Sequence, residues 1–230
     1  MIIREKEIMS SFFSEVTTLV RKEFVLEWRQ KYAINGIILY VVSTVFVCYL
    51  SFNLRIPDGI TWNALFWIIL LFGALNAVSK SFQQERDGRH FFYYQLVSPE
   101  AIIVSKIIYN SLLMLFISFA GLFVFSLVLG NPVQDHFLFI VNLFLGALGF
   151  SSTFTMISGI ASKSTNSSTL MSVLGLPVII PMLLMLIKVS KNAMDGLQRN
   201  VSYDEIITIF AINTIILTVS IILFPYLWRS

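Results

Sequence analysis

The sequence predicts an all-α integral membrane protein, with six transmembrane helices preceded by an amphipathic helix at the membrane surface. Three observations lead there. Apolar residues make up 57% of the 230-residue chain and charged residues only 13%, about half the charged share of an ordinary soluble domain. The charges are bunched, leaving six stretches with none: Tyr32–Leu54, Gly59–Ser79, Ile107–Gln134, Phe137–Ser162, Ser164–Ile187 and Ile206–Trp228. Each stretch has the roughly 20 residues that a helix rising about 1.5 Å per residue needs to cross a hydrocarbon core of about 30 Å. A soluble globular domain is excluded. So is a catalytic or nucleotide-binding domain within the polar stretches 1–31 and 80–106, each too short to bury a core.

The arm, residues 1–31, comes first. Its basic residues are mixed with glutamates, and the apolar run that follows is too long for a signal peptide and lacks a small-residue cleavage site. That run therefore reads as a retained first span, with 32–230 forming the six-helix domain. Within the arm, Phe12, Val16, Val20, Phe24 and Trp28 recur every four residues, with Phe13 and Leu19 beside them. Glu15, Arg21, Lys22, Glu27 and Arg29 fall on other faces. The pattern predicts an amphipathic helix in the interface, with Trp28 at headgroup depth and Lys31 marking the start of the first span. The alternative is a short cytoplasmic helix packed on the bundle. Cys48, the only cysteine, lies mid-span, so no intrachain disulfide forms and a packed thiol is expected.

The connections follow from turn chemistry. Pro57-Asp58-Gly59 joins spans one and two, and Asn131-Pro132 joins spans three and four. The polar stretch from Lys188 to Glu205 has room for a short external or re-entrant helix. Orientation follows from the basic residues. Arg4, Lys6, Arg21, Lys22, Arg29, Lys31, Lys80, Arg86, Arg89, Lys106, Lys163 and Arg229 share one side, against Arg55, Lys188, Lys191 and Arg199 on the other. The positive-inside rule places both termini in the cytoplasm. The net charge of +3 gives no reason to expect a nucleic-acid partner.

No ionisable residue lies deep in any span, which argues against a proton- or cation-driven carrier. Asn76, Asn110, Asn142 and Asn213 sit in four different spans, either as interhelical hydrogen-bonding glue or lining a polar path. Gly73/Ala77 and Ser158/Ser162 allow close helix approach. Pro177 and Pro181, one turn apart in span five, should kink or break that helix, as a hinge or as a static bend. With only His90, His136 and Cys48 as candidate ligands, no metal cluster is expected. His136 reads as a polar loop residue rather than a haem ligand. Ser162-Lys163-Ser164 has the look of a phosphate loop but lacks glycine at positions 157 and 162, so this chain does not hydrolyse ATP itself.

The stretch 80–106 carries the most information. Glu85, Arg86, Asp87 and Arg89 cluster around Gly88, the aromatic run Phe91 to Tyr94 follows, and Ser98-Pro99 precedes a helical run-in to span three. A polar turn, an aromatic helix and a proline-marked return form a knob that could dock into a groove on a soluble partner. The plainer reading is an interfacial hairpin with its rings among headgroups.

Taken with Glu23-Phe24 and Glu27-Trp28-Arg29 in the arm, with Leu96-Val97-Ser98-Pro99 and Lys106 closing the loop, and with Leu176-Pro177-Val178-Ile179-Ile180-Pro181 in span five, these motifs resemble the CcmB family. That family is the membrane permease subunit of the haem-exporter-type ABC complex of cytochrome c maturation. The resemblance runs over about residues 14–228. The acidic-glycine loop is shared widely among ABC-2-type permeases, and the Leu-Pro…Pro element narrows the match. Phe91 and Phe92 stand where family members often carry an acidic residue.

The resemblance implies an ABC-2-type permease fold. Glu85, Arg86, Asp87, Gly88, Arg89 and Pro99 would couple to a separate ATP-binding, CcmA-like subunit. The arm would be the connecting helix, with Phe24, Trp28 and Arg29 at the membrane surface, and Pro177 and Pro181 would form a hinge. The implied partners are CcmC-like and CcmD-like haem-handling membrane proteins, a CcmE-like haem chaperone and a second copy of the chain. ATP would be bound by the partner and haem would be a substrate, in the bacterial cytoplasmic (inner) membrane. The competing expectations are an ABC-2-type permease exporting a lipid, polysaccharide or drug, and a membrane scaffold without a transport cycle.

Overall fold

The computed structural model describes residues 2–30, 32–52, 57–78, 81–82, 97–162, 164 and 166–229. Among them there are seven α-helices and no strand: α1 (Ile2–Gln30), α2 (Tyr32–Ser51), α3 (Gly59–Val78), α4 (Pro99–Leu129), α5 (His136–Ala161), α6 (Ser167–Met194) and α7 (Tyr203–Arg229), with a 3₁₀ turn at Arg199–Ser202. Five of these, α3 to α7, are long and apolar enough to cross a membrane, while the described apolar part of α2, Asn35–Ser51, is shorter.

Local chemistry sets the boundaries. Asp58 caps α3, its carboxylate accepting from the Thr61 hydroxyl and, at 3.3 Å, from the Thr61 N–H. Pro99 occupies the first turn of α4, where its missing N–H costs nothing. Asp135 caps α5 by accepting from Leu138 N at 3.1 Å. Gly196, at φ +65°, ends α6 with Leu197 N donating to the Asn192 carbonyl, the six-to-one bond of a Schellman stop. The stretch from Lys188 to Glu205, which has room for a short external or re-entrant helix, instead continues α6 to Met194 and then makes one 3₁₀ turn before α7.

Of the expected kink or break at Pro177 and Pro181, a break is absent: both lie inside α6, which runs unbroken from Ser167 to Met194. Each proline removes one N–H, but in hydrocarbon no water can replace the remaining backbone bonds, so the helix persists around the two gaps.

Helix α5 is the centre of the bundle, packed against α3, α4, α6 and α7. Its glycines make this close packing workable. A Cβ on Gly146 would strike the Trp67 ring, and one on Gly149 would overlap the Met182 sulfur. Toward the end formed by the 130–135 and 195–203 turns, hereafter the distal end, Trp62, Phe66, Phe125 and Phe139 form an aromatic cluster with centroids 5.3–6.1 Å apart. Buried amides knit the helices. Asn142 donates to the Leu186 carbonyl and to Ser190 Oγ, both at 2.8 Å, Trp67 Nε1 donates to the same Ser190, and Asn63 donates to the Ile187 carbonyl. Asn213 donates to Leu145 O, and Asn110 to Thr155 Oγ1 and Ser81 Oγ. Asn110, Asn142 and Asn213 therefore serve as helix-to-helix glue. Asn76 is exposed on α3.

Candidate functional site

At the opposite end of the bundle, α1 docks lengthwise on the first turns of α4. A second, smaller core forms there from Val16 and Leu19 of α1, Ala101, Ile102, Ile103 and Ile107 of α4, Phe82 after α3, and Phe224 of α7. A stripe repeating strictly every four residues advances 400° per step in a helix of 3.6 residues per turn, so it precesses about 40° each time. Across the four steps from Phe12 to Trp28 it swings through roughly 160°. That is why the single expected face divides. Phe12, Val16, Leu19 and Val20 pack inward, while Phe13, Phe24, Val25 and Trp28 stand outward, Trp28 78% exposed. Arg29 is also exposed.

Two polar contacts pin α1 to α4. Glu15 Oε2 accepts from the Ser98 N–H at 3.2 Å and from the Ser98 hydroxyl at 2.9 Å. Ser98 is the N-cap of α4 but makes no capping bond with its own side chain, so a carboxylate from another helix satisfies the orphan donor. Eight residues further along both helices, Lys106 Nζ lies 3.4 Å from Glu23 Oε1. The sequence offset is 83 for each pair. Equal steps along two helices mean that they run side by side in the same direction over about 12 Å.

Lys106 is 2% exposed and Glu23 15%. An ammonium taken from water costs several kcal/mol unless it is paired and hydrogen-bonded. Here it donates to the Ser81 carbonyl as well as facing Glu23, and it lies 4.7 Å from the Phe82 ring centroid. Asn110, one turn on, donates to Ser81 Oγ at 3.1 Å. Phe82 is buried, its ring centroid 5.5 Å from that of Phe224 with the two planes tilted by 41°. Phe24 meets Tyr109 edge-on at 5.3 Å. Both ends of the expected coupling segment, Ser81-Phe82 and Ser98-Pro99, are therefore held against the same two helices.

Of the expected site residues, Pro99 starts α4, and Phe24 joins the junction through Tyr109. Trp28 and Arg29 face outward, and Pro177 and Pro181 lie in α6, a different helix from those of the junction. Glu85, Arg86, Asp87, Gly88 and Arg89 lie outside the described residues, as does the aromatic run Phe91 to Tyr94. Sequence reasoning missed Glu15, Glu23 and Lys106 as partners. Lys106 read as a loop charge at a span boundary, and only its place eight residues after Ser98, matched by Glu15 and Glu23, signals the pairing.

The distal end is closed by a separate network. Asp135 holds Arg199 through two bonds, 2.6 Å from Nε and 3.1 Å from Nη2, and the guanidinium lies 4.8 Å from the Phe137 ring. Hydrogen bonding from Arg199, then from the Leu138 N–H, holds the Asp135 carboxyl below its ordinary range. Gln134 and Asp135 also donate their N–H groups to the Ala193 carbonyl. His136 begins α5, with Nε2 3.5 Å from Asn131 Nδ2.

Five helices long and apolar enough to cross a membrane make a multi-pass membrane protein. The CcmB protein family matches residues 14–226, nearly the whole length, and the chain belongs to that family. It is therefore the membrane permease subunit of a haem-export ABC system and not itself an enzyme. No individually curated protein matches the chain.

Proposed function

We propose that this chain couples ATP hydrolysis, performed by a separate CcmA-like subunit, to haem export or release of haem-loaded chaperone during cytochrome c maturation. Segment 80–106 is the coupling element, with Glu85, Arg86, Asp87, Gly88 and Arg89 facing the ATP-binding subunit. The observation that carries this reading is the junction. Both ends of the segment are seated on α1 and α4, so a push on it is delivered to a transmembrane helix rather than lost in a loose loop.

In this reading α2 is the first of six spans, since its 20 residues rise about 30 Å. Residues 1–31 form the arm and 32–230 the permease domain, with both termini in the cytoplasm and the chain in the bacterial inner membrane. Helix α4, at 31 residues, is about 46 Å long, which leaves its first turns beyond the hydrocarbon. There α1 runs beside α4, with Phe13, Phe24, Val25 and Trp28 turned toward the lipid headgroups. Pro177 and Pro181 allow α6 to bend without breaking. A second copy, CcmC-like and CcmD-like proteins and a CcmE-like chaperone complete the assembly, and haem is handled as substrate.

The test is co-purification. The wild-type chain in lipid nanodiscs should retain an ATP-binding subunit and alter its hydrolysis rate, and Gly88→Trp should insert normally but lose that effect. An ATP-binding subunit that responds to Gly88→Trp as it does to wild type would remove the segment from the mechanism.

A further inference from the structure

The two contacts of equal offset do more than fasten the arm. We infer that Glu15, Glu23 and Lys106 are positioning residues for segment 80–106, forming a two-point clamp that sets the spacing of its ends. This inference rests on the coupling role proposed above for that segment.

At the return end, Ser98 is held through both its N–H and its hydroxyl by one carboxylate oxygen of Glu15. At the exit end, Ser81 is held through its carbonyl by Lys106 and through its hydroxyl by Asn110. Lys106 in turn faces Glu23. A single helix, α1, therefore reaches the return directly and the exit through one buried ammonium. Charge-assisted bonds of this kind are about twice as strong as neutral ones. Hydrogen bonds and a salt bridge in a region sheltered from water also resist shear better than apolar contacts, which slide at little cost because they are non-directional. Force applied between residues 82 and 97 moves α1 and the first turns of α4 as one body. Phe82, gripped between Lys106 and Phe224, carries the same displacement to the end of α7.

The direct test uses the full chain in nanodiscs with no partner present, so that it does not depend on the ATP-binding subunit. The variant is Glu15→Ala with Glu23→Ala. Both positions lie on a surface helix where alanine is a strong helix former, and the bundle core is untouched. Hydrogen exchange of the amides at Ser81-Phe82 and Val97-Ser98 should quicken by about tenfold, the effect expected when a hydrogen bond to a charged group is lost. Exchange within α5 and α6 should not change. Glu15→Gln with Glu23→Gln, which keeps the acceptors but not the charge, should fall between. Unchanged exchange at the two ends would overturn the clamp. A rise spread evenly through every helix would overturn it as well, reducing these residues to general stabilisers.

With the ATP-binding subunit added, the alanine pair should leave hydrolysis running while covalent haem attachment drops, and attachment at the wild-type level would also refute the inference. If instead the wild-type chain binds no ATP-binding subunit, the coupling role fails while the exchange result stands as measured.

Discussion

Two glycines that look alike in the sequence should respond in opposite ways to the same substitution. Gly36 and Gly149 both lie inside apolar helices, α2 and α5. At Gly36 an added Cβ meets nothing within 4 Å. Alanine there should stabilise the protein by up to about 1 kcal/mol, the usual helix-propensity gain over glycine. At Gly149 the Cβ would overlap the Met182 sulfur and come within 2.5 Å of Asn213 Oδ1. Met182 has a flexible tip but is buried, and Asn213 is tethered by its bond to the Leu145 carbonyl. Overpacking of this kind costs typically about 1–3 kcal/mol, which offsets or outweighs the propensity gain and leaves Gly149→Ala up to about 2 kcal/mol less stable. The two variants should thus differ by about 1–3 kcal/mol. The assay is SDS-induced unfolding from mixed micelles followed by far-ultraviolet circular dichroism. Adding Met182→Ala to Gly149→Ala should recover part of the loss by making room. Gly149→Ala equal to or more stable than Gly36→Ala would refute the packing argument for α5.

Further outcomes follow from other parts of the molecule. Reversing Glu85 and Asp87 to lysine should abolish covalent haem attachment while the protein still inserts at normal abundance, measured by membrane immunoblot and haem stain. Pro177→Ala should lower haem attachment more than abundance if α6 bends during the cycle, and a loss confined to abundance would make the proline structural. The Asp135 carboxyl titrates below its ordinary value in the folded state. Its contribution is therefore fully present above the unfolded carboxylate range and is lost as pH falls through the folded value. Hydrogen exchange at residues 130–138 should accelerate on acidification before the bundle core opens, and Asp135→Asn should remove that pH dependence.

Much of this architecture is legible in the sequence because membrane spanning depends on length and charge depletion, both of which are local. Pro57-Asp58-Gly59 and Asn131-Pro132 mark breaks because proline and aspartate act on their own backbone. The helical run-in from Glu100 appears as the start of α4 for the same reason. What escaped depends on three-dimensional neighbours. The four-residue stripe of the arm could be seen, but not that precession would turn Phe12 and Trp28 to different sides. Pro177 and Pro181 suggested a kink or a break, and the surrounding apolar medium keeps α6 unbroken. The spacing of Gly73/Ala77 and Ser158/Ser162 pointed to close helix approach, but nothing in the sequence marks Gly146, Gly149 and Gly175, whose Cβ would come within 3 Å of a neighbouring side chain. Lys106 read as a boundary charge because its partners, Glu23 and the Ser81 carbonyl, come from distant parts of the chain.

The most direct test of the central claim is a haem stain of membrane and secreted fractions from bacterial cells lacking this protein, with haem synthesis shown to be intact. Membership of a haem-export ABC system coupled through segment 80–106 predicts that covalent haem is lost, is restored by the wild-type chain, and is not restored by a variant reversed at Glu85 and Asp87. Normal haem attachment in the absence of the protein would contradict the account.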